Sequence, residues 1–328
     1  MHEIPAIYDS ILVAVRKAAN LCRSVQASVT PETLEKKDKS PVTIADFGSQ
    51  ALVLRAVREL YPNDPIIAEE GAAELKKPEN EHTRDRLMEE MVKVEPGAMF
   101  EEVAEWIDYG KSREGGDRFW TLDPIDGTKG FLRKEQYAIS LALLEKGEIV
   151  LGILALPNFG SFLPDVGDEG VVFFAERGKG VVAQSLSGGK AVPVQVSGLQ
   201  DVSKAAFCES VESGHSDHSW AGQVASTLGI SRESVRMDSQ AKYGALAMGA
   251  ADIYLRLPTR PGYREMIWDH AAGVVVVEEA GGKVSDVDGK PLDFSRGYRL
   301  EANRGVIVSC GPFHQQIVDA VVSVEKTL

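Results

Sequence analysis

The sequence predicts an α/β protein in two parts: an α+β half over residues 1–197 with a mostly antiparallel sheet, and an α/β half over 198–328. Three observations carry that expectation. At 328 residues the chain exceeds what one hydrophobic core usually organises. From Phe119 to Val196 it strings short apolar segments together with tight turns, the texture of antiparallel strands. After Ser197 strand and helix patterns alternate, as in a parallel or mixed sheet covered by helices.

Taken in order, Ile7, Ile11, Ala14, Val15 and Ala18 recur at helical spacing, so the chain opens on a helix. No basic start precedes an apolar block there. The segment therefore reads as structure rather than as a targeting peptide, and a cytoplasmic location is expected. Ser40-Pro-Val-Thr leads into a second helical pattern (Leu52, Val53, Ala56, Val57, Leu60), which Pro62-Asn63-Asp64-Pro65 ends. Ile66-Ile67-Ala68 reads as a short buried strand running into Glu69-Glu70-Gly71. Residues 74–105 are so charged that they read as an exposed helical excursion without chemistry. Phe119 to Leu122 is a strand expected to end on Asp123, because Pro124 lacks an N–H donor and turns the chain. Tyr137 to Leu144 and Ile149 to Leu156 form a hairpin, and short strands follow at 170–175, 180–184 and 193–196. The second half is expected to run strand 205–209, helix 219–228, strand 235–237, helix 243–250 and strand 253–257. A helix from Trp268 to Ala280, strands at 283–286 and 305–309, and a final helix complete it.

Composition narrows the function. A formal charge of -13 argues against nucleic acid as a partner, and means that a small anionic substrate needs metal ions or a local basic patch. No stretch approaches the roughly 20 uninterrupted apolar residues of a membrane span. A hydrophobic fraction of 44% and a mean hydropathy of -0.13 are those of an ordinary globule. Cys22, Cys208 and Cys310 form neither a disulfide framework nor a zinc cluster, which fits a reducing compartment.

The chemistry concentrates in Trp120-Thr-Leu-Asp-Pro-Ile-Asp-Gly-Thr128. Asp123 and Asp126 lie close enough in the chain to repel unless a cation sits between them. The Ile125 carbonyl can join them, and hard oxygens suit Mg²⁺. Gly127 permits a tight turn, and Thr128 is a good helix N-cap that would aim free N–H groups at an anion. Taken alone, this hexapeptide reads equally as a capped turn with solvated aspartates. Glu69-Glu70 alone reads as ordinary surface charge, Asp46 as a helix N-cap, and Asp269 as a first-turn acid suited to the helix dipole. Between Arg236 and Arg264 five basic residues (Arg236, Lys242, Arg256, Arg260, Arg264) face two acidic ones (Asp238, Asp252), a basic island in an acidic chain.

Together the segments resemble the lithium-sensitive, magnesium-dependent phosphomonoesterase superfamily that includes inositol monophosphatase. Its Glu-Glu pair after a strand, its Asp-Pro-Ile-Asp-Gly-Thr segment, and its Trp-Asp-x-Ala-Ala-Gly helix ending Glu-Ala-Gly-Gly all occur here in that order. The resemblance runs from Ser40 to about Ser309. Three longer strings, Ser40-Pro-Val-Thr-Ile-Ala-Asp46, Asp126-Gly-Thr-Lys-Gly-Phe-Leu-Arg133 and Asp238-Ser-Gln-Ala-Lys-Tyr243, resemble the 3'(2'),5'-bisphosphate nucleotidase branch.

The resemblance implies a layered αβαβα sandwich, with most metal ligands in the first half and the nucleotide-binding residues with Asp269 in the second. Glu69, Asp123, the Ile125 carbonyl, Asp126 and Asp269 would hold Mg²⁺, about two or three ions, with Asp123 bridging. Asp46 and the Thr128 hydroxyl would orient and deprotonate the attacking water, and Gly127 and Thr128 would bind the reacting phosphate. Ser239 and Lys242 would bind the 5'-phosphate with Arg256 beside them, and His215 would line the nucleoside site. Arg256 reads also as a sheet-edge charge and His215 as a loop histidine. Ala68 stands where many relatives have glycine, a change expected to be tolerated.

The implied substrate is a small molecule, adenosine 3',5'-bisphosphate, with its sulfated analogue 3'-phosphoadenylyl sulfate. The implied rivals are an inositol polyphosphate 1-phosphatase and a non-catalytic nucleotide sensor. Phosphate monoesters demand a barrier reduction on the order of 20 kcal/mol. The sequence offers no P-loop lysine and no histidine or cysteine nucleophile, so direct attack by water is the expected route.

Overall fold

The computed structural model describes residues 4–30, 40–160, 170–211, 218–258, 260 and 262–327. A short 3-10 turn at Ala6–Tyr8 precedes helix α1 (Asp9–Ala27), so Ile7 lies outside the helical stripe and stands 60% exposed. Ile11, Ala14, Val15 and Ala18 are buried as their spacing requires. They pack toward α2 (Ser40–Leu60), where Gly48 makes a close approach possible: a methyl group there would meet Leu21 at 2.7 Å. Asp46 falls inside α2, well past its start, so it is not an N-cap.

Strand β1 (Ile66–Ala68) follows as expected. The charged stretch after it is not an exposed excursion. It forms α3 (Glu81–Val94) and α4 (Phe100–Asp108), whose Leu87, Met91, Val103 and Ile107 are fully enclosed. Each helix is polar outside and apolar toward α2, and a window dominated by charge hides so narrow a stripe.

Strand β2 (Arg118–Asp126) does not stop at Pro124. It continues to Asp126 through a break in register: Asp123 pairs with Ser140 but Asp126 pairs with Ala138. The extra residue on β2 is a bulge, which accommodates the missing proline donor and re-aims the strand end. A short helix α5 (Thr128–Leu132) comes next, then β3 (Ala138–Glu145) and β4 (Glu148–Leu156). Lys146 and Gly147 between them both take positive φ (52° and 84°), as a tight two-residue hairpin turn needs. With β5 (Val171–Glu176), β6 (Gly180–Ser185) and β7 (Val192–Pro193) they form a seven-stranded sheet in sequential order. β1 pairs parallel to β2, and the other neighbours are antiparallel.

The second half alternates β8 (Phe207–Glu209), α6 (His218–Thr227), β9 (Val235–Arg236), α7 (Ala241–Ala247) and β10 (Ile253–Arg256). It ends with α8 (Ala271–Glu279), β11 (Lys283–Ser285), β12 (Val306–Ser309) and α9 (His314–Glu325). These strands make a five-stranded mixed sheet, order β11-β12-β10-β8-β9.

Three cores stack these parts into five layers. On β5, Val172 and Phe174 face the α1–α4 layer, while Val171, Phe173 and Ala175 face the other way. There they meet α7 and α8, which the second sheet covers from its far side through Cys208, Tyr254, Val306 and Val308. The outer face of that sheet (Phe207, Ile253, Leu255, Ile307) packs on α6 and α9. Both faces of the large sheet are buried, which is why β3 and β4 read as nearly unbroken apolar runs rather than alternating ones. No helix among the described residues is long and apolar enough to cross a membrane.

Candidate active site

A cavity of about 660 Å³ opens where the end of β2, the start of α5, the loop before α7 and the loop before α8 converge. Its lining includes Glu69, Asp123, Ile125, Asp126, Gly127, Thr128, Ser239, Lys242, Arg256 and Asp269, so most of the residues singled out in the sequence meet in one cleft. Asp46 is 8% exposed and lies behind the cleft, close enough that Glu69 and Glu70 act on its charge. His215 falls outside the described residues.

The acidic side is assembled from three directions. α2 presents Asp46, Ser49 and Gln50 at turn spacing on one face. Ser49 donates to the Pro124 carbonyl at 2.9 Å, holding the β2 bulge. The Gln50 amide donates to the Glu70 carbonyl at 2.8 Å and accepts the Glu70 N–H at 3.1 Å, fixing the segment after β1. At the bulge Asp123 Oδ1 accepts the Ile125 N–H at 3.1 Å. Ile125 packs in the first core and also borders the cleft. Asp126 Oδ2 accepts the Gln240 N–H at 2.5 Å. Asp269 precedes α8, which begins at Ala271, so it is a loop residue and not a first-turn acid. Thr128 is the first residue of α5, and the cap position belongs to Gly127, at φ 93°.

These carboxyls crowd one another. Burial, then Glu69 and Asp126, push the Asp123 carboxyl well above its ordinary range. Burial and Asp126 do the same to Asp269, and burial followed by Glu69 and Glu70 to Asp46. Glu69 is accessible through the cleft yet walled by protein on most sides, and that desolvation with Glu70 pushes it up to about 7. Among the described residues the ion pairs beside the cleft go elsewhere, Arg133 to Asp238 and Arg256 and His270 to Glu265, and none to these carboxyls. A set of hard oxygens short of positive charge fits a divalent cation.

The opposite wall is basic. Lys242 is 3% exposed, its ammonium 5.1 Å from the Tyr254 ring centre and 3.4 Å from the Met237 carbonyl. Burial lowers its pKa against the pull of Asp126. Arg256 ends β10, an interior strand, so it is not a sheet-edge charge. Its Nε meets Glu265 Oε1 at 3.2 Å, and Glu265 Oε2 lies 3.5 Å from His270 Nε2, whose Nδ1 meets the Tyr243 hydroxyl at 2.7 Å. Glu265, Asp269 and His270 cluster closely enough to suggest a metal seat of their own. The partners argue otherwise: both imidazole nitrogens are engaged, and against its burial His270 and Arg256 hold the Glu265 carboxyl down at about 2. This group is a charge-paired wall that aims Arg256.

Sequence reasoning missed Gln50, Gln240, Glu265, His270 and Tyr243. Glu265 lies one residue beyond the stretch that showed the basic island, and its pairing with Arg256 was the available signal. The two glutamines carry no charge pattern to find.

Comparison with known proteins follows the same lines. Residues 7–325 match the profile of the inositol monophosphatase family. A 3'(2'),5'-bisphosphate nucleotidase of Emericella nidulans is 42% identical, covering 96% of this chain and 97% of that protein. One from Schizosaccharomyces pombe is 43% identical over 95% of this chain and 94% of its own, and one from Oryza sativa is 43% identical over 94% and 91%. Among solved structures, an IMPase of Thermotoga maritima superposes with a TM-score of 0.64 at 21% identity over 97% of this chain and 98% of its own. The inositol monophosphatase of Anabaena gives 0.58 at 21% over 95% and 94%. At those identities the structures speak for the layered fold alone.

Proposed function

This chain belongs to the inositol monophosphatase family, and on that premise we propose that it hydrolyses the 3'-phosphate of adenosine 3',5'-bisphosphate to AMP and phosphate. The same site would act on 3'-phosphoadenylyl sulfate, in which the reacting group is unchanged. The observation that carries the reading is the split cleft: an acidic side built by Glu69, Asp123, Asp126 and Asp269 adjoins a basic side built by Lys242 and Arg256. A substrate with two phosphates matches such a division, one phosphate for each side.

Glu69, Asp123, the Ile125 carbonyl, Asp126 and Asp269 would hold Mg²⁺, about two or three ions, since their oxygens are hard donors whose crowding the more distant Lys242 and Arg256 only partly offset. When bound, Mg²⁺ supplies Lewis acidity that neutralises phosphoryl charge and makes water a stronger nucleophile. The water oxygen attacks the 3'-phosphorus as the bond to the 3'-oxygen breaks. The Thr128 hydroxyl, exposed at the cleft, orients that water and relays its proton toward the Asp46 carboxylate, while the departing 3'-oxygen takes a proton from solvent. Lys242 and Ser239 bind the 5'-phosphate, and Arg256, aimed by Glu265, approaches from the neighbouring strand. Lithium at millimolar level is expected to inhibit, and a cytoplasmic setting accords with three buried, unpaired thiols.

The test is phosphate release from adenosine 3',5'-bisphosphate with magnesium, after chelation, and with inositol 1,4-bisphosphate as competitor substrate. The proposal expects release that chelation abolishes and a kcat/KM for the nucleotide at least about tenfold higher. Equal kcat/KM values would defeat the substrate assignment, and full activity after exhaustive chelation would defeat the metal assignment.

A further inference from the structure

Gln240 sits at the back of the cleft and is 1% exposed. Four separate segments meet on it. Its backbone N–H reaches Oδ2 of Asp126, a residue of the cleft wall, at 2.5 Å. Its Nε2 donates to the Trp268 carbonyl at 2.9 Å, on the residue that precedes Asp269. Its Oε1 accepts the Gly273 N–H at 3.1 Å, in the first turn of α8, and the Ser140 hydroxyl lies 3.1 Å from the same oxygen. Ser140 is the β3 residue in register with Asp123. The orientation of the amide is fixed, since Trp268 offers it a carbonyl and Gly273 an N–H, and neither can change role.

The backbone is bent to make these contacts. Ser239 takes φ 63°, which turns the following N–H toward Asp126, and the Gln240 carbonyl then accepts the Tyr243 N–H at 3.0 Å to start α7. Buried, with both ends of its amide matched, Gln240 is a stiff tie between β2, β3 and the loop carrying Asp269.

We propose that Gln240 is a positioning residue that sets the spacing of Asp126, Asp269 and Asp123, and thereby the cation affinity of the site. The proposal rests on the reading above that these carboxylates hold divalent cations. The Gln240 side-chain amide is engaged by Trp268, Gly273 and Ser140, so it acts on the site through the residues it holds. Outer-shell partners of this kind govern how well ligands are aimed, and their loss typically weakens metal affinity about tenfold or more.

The experiment compares the unaltered protein with Gln240→Met, which keeps length and volume but removes every side-chain hydrogen bond, and with Ser140→Ala, which removes the hydroxyl shared between the Gln240 amide oxygen at 3.1 Å and the Trp268 carbonyl at 3.3 Å. Mn²⁺ binding is measured by titration calorimetry and by electron paramagnetic resonance, with the metal-free melting temperature and circular dichroism as checks of folding. Gln240→Met is expected to bind Mn²⁺ about tenfold more weakly and to need about tenfold more Mg²⁺ for half-maximal rate, while KM for the bisphosphate at saturating Mg²⁺ stays within about twofold. Ser140→Ala is expected to shift Mn²⁺ affinity the same way by about threefold, and it decides the matter if Gln240→Met does not fold. Unchanged Mn²⁺ affinity in the folded variants, whatever the melting temperature, would reduce Gln240 to a packing residue and overturn the proposal. Failure of the unaltered protein to bind Mn²⁺ or Mg²⁺ would remove the metal reading itself and this proposal with it.

Discussion

Gly127 sits at φ 93° and Ser239 at φ 63°, and a methyl group on Gly127 would meet the Ser239 Cβ at 2.7 Å and the Gln136 carbonyl at 3.3 Å. Two left-handed residues thus face each other between Asp126 and the start of α7, which carries Lys242. A side chain at 127 adds roughly 1–2 kcal/mol of backbone strain and forces Ser239 away. Gly127→Ala is therefore expected to lower kcat/KM about a hundredfold, with a smaller loss of stability, because it moves Asp126, Thr128 and the Ser239 loop together. Phosphate-release kinetics alongside thermal melting check this, and a kcat/KM within threefold of the original would dissociate that contact from the site. At this scale the sequence is legible where partners are neighbours in the chain. Asp123, Asp126, Gly127 and Thr128 declare themselves as one string. Gln50 and Gln240 do not, since their partners at Glu70 and Trp268 are 20 and 28 residues away and an amide leaves no charge pattern.

Strands and helices were mostly legible from periodicity, and the misplaced boundaries have physical causes. β2 runs on past Pro124 because a bulge absorbs the proline, and no local pattern announces a bulge. α8 begins at Ala271, since Trp268 gives its carbonyl to Gln240 rather than to a helix. The last helix begins at His314, whose Nδ1 meets the Ser309 hydroxyl at 2.8 Å and whose Nε2 meets the Ser285 hydroxyl at 2.9 Å, tying α9 to β12 and β11. Burial, with a smaller push from Lys283, lowers its pKa to about 4. Above about pH 6.5 the ring is neutral in both the folded and unfolded chain, and its contacts count in full. As pH falls from there toward 4, the unfolded chain takes up a proton that the folded one refuses, so stability is lost, by at most about 3 kcal/mol. His314→Gln keeps hydrogen-bonding capacity without titrating. Urea unfolding at pH 7 and pH 4.5 should show a smaller drop for the variant, and parallel drops would clear His314 of any part in acid sensitivity.

Across the whole molecule, the cleft lies where layers meet: β2 and β3 belong to the large sheet, Arg256 to the small one, and the loops before α7 and α8 to the layer between them. Nothing in the periodicity orders those layers, because both faces of the large sheet are apolar; the order of layers came with the motifs. The same placement sets a conflict between function and stability. Asp123 is 2% exposed and its carboxyl is pushed well above its ordinary range by burial, Glu69, Asp126 and Asp269, so its surroundings disfavour the charged form, a cost that a cation would remove. Asn at this position keeps an oxygen for the Ile125 N–H, which Asp123 Oδ1 now accepts at 3.1 Å, and carries no charge. Asp123→Asn is therefore expected to melt about 2–6 °C higher than the unaltered protein when both are metal-free at neutral pH, a gain of roughly 1–2 kcal/mol. Its activity should fall by at least about a thousandfold. Millimolar Mg²⁺ should raise the melting temperature of the unaltered protein by a few degrees, as a ligand that binds the folded state must, and leave the variant nearly unmoved. Scanning calorimetry of the two proteins with chelator and with Mg²⁺ separates the cases. A metal-free variant less stable than the original, or one that Mg²⁺ stabilises equally, would mean that Asp123 is neither strained by its neighbours nor a seat for the ion.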